Sequence, residues 1–417
     1  MITALEGAKG DQIFIHCGDA FQGSYVVGIN YGLSMIEALN AMELDCFVIG
    51  NHEFDWGLDK IAAYKDGNQS NGEANFPFLG ANIYLKGTQT RPSWIDAYHV
   101  VEKDGVRIGI IGVMGPSQES SILTRYVRDY DFVDPIDIIR DTASYLRNMG
   151  NCDVIVVAAH EYDADMNADI AALSGNSAVD AIFCAHTHQN ILTYEERADS
   201  KRRPIVQCYH KNNNLAEVVL TLDDSGNYST YYATKHLPGN YNISTRVQTV
   251  ITRYQDEIDE GNEVIGSVSG GLGESALGRY ATDAMLTYTY TEYDFSEVDV
   301  SIINTGGVRA SIDEGEITRA EVYEVFPFNN SVVLVNISGA LIKSLITSNS
   351  GYLYYDVSAS VGSVNSLNDS TIYQLAVIDY VFENTRYTQF DNVSASDYIE
   401  TEVILRDLLM TYIDEAY

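Results

Sequence analysis

An α/β fold in two domains is what this sequence predicts, on three observations. From Asp11 to about Leu237, short β-rich runs alternate with stretches whose apolar residues recur at helical spacing. Leu237-Pro238-Gly239-Asn240 then breaks the pattern, and a second alternation begins near Ile265. The chain, 417 residues with 46% apolar, is too long for one ordinary core and long enough for two.

Taken in order, the first strands are Ile13 to Cys17, Cys46 to Ile49, Ile108 to Val113, Val154 to Ala159 and Ala181 to Cys184. Helices are expected at Ser34 to Met42 and Pro135 to Met149, the second opened by Asp134-Pro135, a cap followed by a first-turn proline. The runs Ile205 to Gln207, Glu217 to Leu222 and Tyr228 to Thr234 have no helices between them and are expected as antiparallel strands closing the first domain. Thr245 to Asp259 reads as a polar, amphipathic connecting helix. The expected division is therefore 1–240, a linker at 241–262, and a smaller α/β domain at 263–417. In that second domain a glycine-rich passage, Ser269 to Gly273, leads into a helix from Glu274 to Tyr290. Strand Val298 to Ile303, helix Arg319 to Val325, strand Val332 to Val335, helix Ala340 to Thr347 and a strand near Tyr373 to Ile378 follow, and Ile399 to Ile413 is expected as a terminal amphipathic helix.

A formal charge of −34 argues against nucleic acid or an anionic membrane as partner, because both require clustered Lys and Arg. Small substrates suit this field better than polyanions, and a small anion needs local cations to reverse the sign inside its cleft. The five cysteines form no CxxC pair, and a disulfide framework is not expected. No stretch has the apolar length of a membrane span, and Met1 to Gly10 lacks the regions of a signal peptide.

Four motifs carry chemistry: Gly18-Asp19, Gly50-Asn51-His52-Glu53-Phe54-Asp55, His160, and Ala185-His186-Thr187-His188. Each places a hard oxygen or an imidazole after a strand-like run, where open α/β sheets gather ligands. Two divalent ions can activate water and stabilise both oxygens of a phosphoryl transfer, and they need a bridging carboxylate. Asp19 is the natural bridge. Asn51 offers an amide oxygen, and His160, His186 and His188 offer imidazoles. His52, oriented by Asp55, is expected to stabilise charge on the phosphoryl or leaving group instead. Singly these signals are weak; in conjunction they point to a two-metal hydrolase. His16, His99, His210 and His236 lack the setting, although His210 follows a strand toward the same face.

Gly18 to Gly23, Gly50 to Gly57 and Ala185 to Gln189 resemble the metal motifs of the 5′-nucleotidase family of calcineurin-like metallophosphatases, and the likeness runs over nearly the whole length. The resemblance implies a four-layer α/β/β/α metal domain followed by a substrate domain. It implies Asp19, Asn51, His160 and His186 as metal ligands, His188 as a further ligand, and His52 with Asp55 as a catalytic pair. It also implies two divalent ions, of zinc, manganese or iron, and hydrolysis of a small nucleotide or related phosphoester by in-line attack of a metal-activated hydroxide. The family's location implies a secreted, periplasmic or cell-surface protein. The family's first strand ends in Asp-x-His, and no such motif stands upstream of Asp19. An amino-terminally incomplete chain is expected; the alternative is a catalytically impaired nucleotide-binding or surface-interaction homologue without the first metal site.

In the second domain Asn304-Thr305-Gly306-Gly307-Val308-Arg309 resembles the family's substrate motif, which implies Asn304, Gly307 and Arg309 as substrate contacts. Glycines let backbone approach a ligand, and an arginine can fork onto an anion. Pro327-Phe328-Asn329 resembles the loop whose Phe stacks on the base, with Tyr380 as the opposing aromatic. Glu383 to Arg386 stands where the family shows Gly-Gly-Asp-Gly, so ribose contacts are thinned, and Arg386 and Arg279 are the candidate compensating cations. A hinge near 238 to 262 is expected to deliver substrate to metal.

Overall fold

The computed structural model describes residues 12–116, 118–196, 202–209, 214–222, 228–236, 244–293 and 297–416. His210 and most of the interdomain break, 237–243, lie outside the described residues. The chain forms two compact units. The first comprises the described parts of Met1–Ala20, Leu33–Ile122 and Tyr126–Arg253; the second comprises Phe21–Gly32, Leu123–Arg125 and the described parts of Tyr254–Tyr417.

Two large sheets build the first unit, beside two-stranded pairs. One is wholly parallel, in the order Ile15–His16, Cys46–Val48, Phe78–Leu79, Ile95–Asp96. The other has six strands, in the order Ile191–Glu196, Arg202–Gln207, Ala181–Cys184, Val154–His160, Val106–Met114, Tyr98–Lys103, and its four central strands are parallel. Parallel strands covered on both faces read as continuous apolar runs, and Val154–His160 is buried at all seven positions. Val48, Leu79, Ile110, Val156 and Ala158 form one core cluster between the sheets. The opposite face of the large sheet packs Ile111, Ile155 and Val157 against Ile139, Ala143 and Leu146 of helix Pro135–Asn148 and against Met166 and Ile170 of helix Ala164–Ala172. Asp134 caps the longer helix by accepting from Ile136 N at 2.9 Å. With helix Leu33–Ala41, these are the α/β/β/α layers the family implies.

The second unit is built on a five-stranded sheet in the order Leu353–Val357, Val300–Asn304, Ile372–Ile378, Ser331–Ser338, Tyr398–Ile404. Its core joins these strands to helices Glu274–Thr287, Arg319–Val325, Gly339–Ser348 and Leu405–Ala416.

Three elements differ from the sequence expectation. Ile399 to Ile413 is not one helix: Tyr398–Ile404 is an edge strand, antiparallel to Ser331–Ser338, and the helix starts at Leu405. The run Thr401, Val403, Ile404 favours extended backbone, and Thr401 Oγ1 is drawn to the Val332 carbonyl at 2.7 Å. The connecting helix divides into Thr245–Arg253 and Gln255–Gly261 at Tyr254, a buried ring whose backbone leaves the helical region (φ −101°, ψ 23°). Arg202–Gln207 is not antiparallel throughout. It runs parallel to Ala181–Cys184 and pairs antiparallel with Ile191–Glu196, a strand whose every second residue is exposed.

Candidate metal centre

The four main ligand candidates stand at carboxyl ends of strands, two from each sheet of the first unit. Asp19 follows Ile15–His16 and Asn51 follows Cys46–Val48; His160 ends Val154–His160, and His186 follows Ala181–Cys184. A left-handed backbone at Gly18 (φ 95°) and Asp19 (φ 59°) turns the first of these chains sharply at the site. Gly18 cannot be replaced without a clash, since a Cβ there would lie 2.5 Å from His160 Nδ1 and 2.8 Å from Gly50 N.

Glu53 fixes the two oxygen-bearing loops to each other. Its carboxylate is fully buried and accepts three backbone N–H groups, from Gly50 at 2.7 Å, Asp19 at 2.9 Å and Ala20 at 3.0 Å. The Gly50 bond is the return half of a capping box on the turn Asn51–Phe54. Burial and the neighbouring Asp19 charge push the Glu53 carboxyl up to about 7, while its backbone donors pull the other way.

His160 is completely buried and donates Nδ1–H to the Cys17 carbonyl at 2.6 Å. That turns Nε2 toward Asp19 Oδ2 at 3.1 Å and Asn51 Oδ1 at 3.1 Å. His186 Nδ1 lies 2.9 Å from the same Asn51 oxygen. The ligand atoms of Asp19, His160 and His186 all fall within 4.8 Å of one another. A nitrogen lone pair set against two oxygens is repulsive unless a proton or a cation lies between them, so this donor set fits a divalent metal. Without a metal, the titration directions describe the proton. Burial opposes charge on Asp19, yet His160 and His52 outweigh it and hold the carboxyl far below the carboxylate range. Burial also opposes charge on His160, and the Asp19 carboxylate overcomes it and raises the ring. His186 is lowered by burial and by His160.

His52 gives Asp19 Oδ1 its backbone N–H at 2.9 Å, and its ring Nδ1 lies 2.8 Å from Asp55 Oδ2. The imidazole is thereby anchored at one nitrogen. His188 is not among the three residues whose ligand atoms gather; like His186 it has a left-handed backbone, with φ 56° against 66°. His16 stacks flat on Phe47 at 4.8 Å, and burial pushes it down to about 4.

In the second unit, Asn304, Gly307 and Phe328 line one recess with Phe326, Asn330 and Leu405. The Asn304 Oδ1 atom is buried and has no hydrogen-bond partner among the described residues. Arg309 is exposed and Tyr380 half-buried; neither lines that recess. Arg386 lies with its guanidinium 3.9 Å from the centre of the Tyr352 ring, and Arg279 is exposed. Arg406 escaped sequence reasoning. Buried at 5% exposure, it donates to the carbonyls of Phe326, Pro327 and Phe328 at 3.1 to 3.4 Å and to Asn329 Oδ1 at 2.7 Å, over the face of Tyr323 at 3.6 Å. Nothing local marks an arginine on a terminal helix as the clamp of a loop about 80 residues upstream. Glu53 was more visible, since it lies inside the Asn51 motif.

Residues 2–190 match the family described as calcineurin-like phosphoesterase, and 260–392 match the 5′-nucleotidase C-terminal domain. A cell wall protein, Lmo0130 of Listeria monocytogenes, is 27% identical over 81% of this chain and 49% of its own length. The snake venom 5′-nucleotidase of Crotalus adamanteus is 25% identical over 82% of this chain and 62% of its own. The chain thus spans half to under two thirds of these curated relatives. The crystal structure of a 5′-nucleotidase precursor from Thermus thermophilus shares the fold, with a TM-score of 0.83 at 21% identity over 100% of this chain and 89% of that one. With both models matched in order and the metal-side loops in place, the chain belongs to the calcineurin-like phosphoesterases that carry a 5′-nucleotidase C-terminal domain.

Proposed function

We propose that this protein is a metal-dependent hydrolase of nucleotides or related small phosphoesters. One observation carries the reading: the ligand atoms of Asp19, His160 and His186 gather within 4.8 Å of one another, with Asn51 Oδ1 beside both imidazoles. Asp19 would bridge, and Asn51, His160 and His186, with His188 as a further ligand, would complete the metal set of the first unit. A divalent cation held there supplies Lewis-acid stabilisation of phosphoryl oxygens and a bound water of lowered pKa. His52, anchored by Asp55, stabilises charge that develops on the phosphoryl or leaving oxygen. Residues 263–417 recognise the rest of the substrate, with Phe328 and Tyr380 on the base and Asn304, Gly307 and Arg309 on polar groups. The charge of −34 favours small phosphoesters over polymers. No helix among the described residues is long and apolar enough to cross a membrane, and the name of the Listeria relative supports a place at the cell surface.

Phosphate release from a nucleoside monophosphate, a nucleotide sugar and a cyclic nucleotide tests this directly. The chelator-stripped chain should be silent, and zinc or manganese should restore turnover with at least one of them. Undiminished turnover after stripping, or hydrolysis of single-stranded DNA alone, would overturn it. A second reading is a nucleotide-binding homologue with one metal site, favoured because the metal-capable His and acidic residues among the described residues form a single group. One bound ion and retained nucleoside binding without turnover would select it.

A further inference from the structure

The loop between strands Ala181–Cys184 and Ile191–Glu196 delivers His186, and its backbone is unusual at both histidines. Left-handed conformations are disfavoured for residues that carry a Cβ, yet His186 adopts φ 66° and His188 φ 56° with Thr187 between them. Such a turn persists only where its surroundings over-determine it. One bond is internal, from Thr187 N to the Ala185 carbonyl at 2.8 Å.

Further bonds come from Gln207, the last residue of strand Arg202–Gln207 and 1% exposed. It stands at the register position opposite both Cys184 and Ile191, so the loop leaves and returns across from it. Its carboxamide reaches into the loop. Nε2 donates to the Gln189 carbonyl at 2.9 Å and lies 2.8 Å from Thr187 Oγ1, while Oε1 is 3.1 Å from that hydroxyl. These contacts hold Thr187 and Gln189, one on each side of His188, and Thr187 also directly follows His186. We infer that Gln207 is a positioning residue: its buried carboxamide sets the left-handed turn that presents His186 to Asp19, Asn51 and His160. The inference rests on the metal-centre reading proposed above.

Zinc titration of the full, chelator-stripped chain against a competing chelator, with the metal-free melting temperature measured alongside, tests it. Gln207→Leu keeps the volume and removes both polar contacts; Thr187→Val removes the hydroxyl and leaves the strand untouched. Loss of an outer hydrogen-bond partner weakens metal affinity by roughly 10- to 100-fold, and Gln207→Leu should fall in that range. Thr187→Val should weaken zinc less, with little change in metal-free melting. A merely structural glutamine would lower melting and leave the zinc Kd of the folded chain unmoved. Wild-type Kd in a folded Gln207→Leu chain overturns the inference; if that variant does not fold, wild-type Kd in Thr187→Val does so. Failure of the wild-type chain to take up zinc overturns the metal-centre reading itself, and is seen before any variant is made.

Discussion

The loops around Asp19 and the loops around Asn304 are built on different principles. In the first unit every candidate ligand stands at or after a strand end, and the loops bind each other through buried polar side chains: Glu53 ties the Gly18-Asp19 turn to the Gly50-Asn51 turn, and Gln207 secures the His186 turn. In the second unit Asn304 ends a strand, but Phe328 sits on a loop whose carbonyls turn to a buried guanidinium from a distant helix, and Arg309 stands in solvent. The first arrangement tolerates almost no displacement. The second is a scaffolded rim whose individual side chains can change one at a time, as expected of a surface that selects among substrates rather than performing the chemistry.

The largest test of that contrast is Asp19→Ala. Asp19 touches His160 and the His52 backbone at once, and metal stabilisation of a transferring phosphoryl group is worth several kcal/mol, so turnover should fall on the order of 10³-fold. Phosphate-release kinetics with the metal stoichiometry of the variant check it; a tenfold loss or less would show that Asp19 does not bridge. Next is Glu53→Ala. It strands three backbone donors in a dry site, each worth about 1 to 3 kcal/mol, and denaturant unfolding should show a loss of about 3 kcal/mol or more. An unchanged midpoint would mean that water reaches these groups and that the loops are not mutually fixed.

Legibility followed the same division. Strands buried on both faces spell themselves as apolar runs, so Val154–His160 and Ala181–Cys184, with the ligands after them, are readable without a structure. The lone-pair cluster is readable only as a conjunction of motifs, because its contacts join Asp19 to His160 across 141 positions of chain. Edge elements are the weak point. Tyr398–Ile404 passes for helix because its partner strand is remote in sequence, and Ile191–Glu196 goes unassigned because a rim strand's alternation is short. Gln207 and Arg406 carry no local signal: a glutamine ending a strand and an arginine on a helix acquire their tasks only through register and packing.

Smaller effects sharpen the second half of the comparison. Arg406→Met keeps much of the aliphatic stem and removes the guanidinium that lies over Tyr323 and donates to the Phe326–Asn329 loop. KM for a nucleotide should rise by about 10- to 30-fold with kcat within a factor of about three, in keeping with the loss of uniform binding; a fall confined to kcat would move Arg406 from positioning to chemistry. Phe328→Ala should raise KM by about tenfold, the scale of one base–aromatic stack. The same variant should leave KM for a phosphoester without a base unchanged, and equal losses on both would place Phe328 in the core rather than against a base.

The least effect is expected at Arg386, and it decides whether that residue replaces the missing ribose contact. Its guanidinium already has a place, over Tyr352, with Tyr352 itself more than half exposed. An exposed cation–π contact is worth about 0.5 to 1 kcal/mol. If that is all it does, Arg386→Met should shift thermal unfolding by no more than a few degrees and leave KM within about twofold for a nucleotide and for its 2′-deoxy analogue alike. A loss confined to the ribonucleotide would show that the arginine leaves Tyr352 to bind sugar hydroxyls, and the rim would then hold a specificity element that the structure presents in its resting contact.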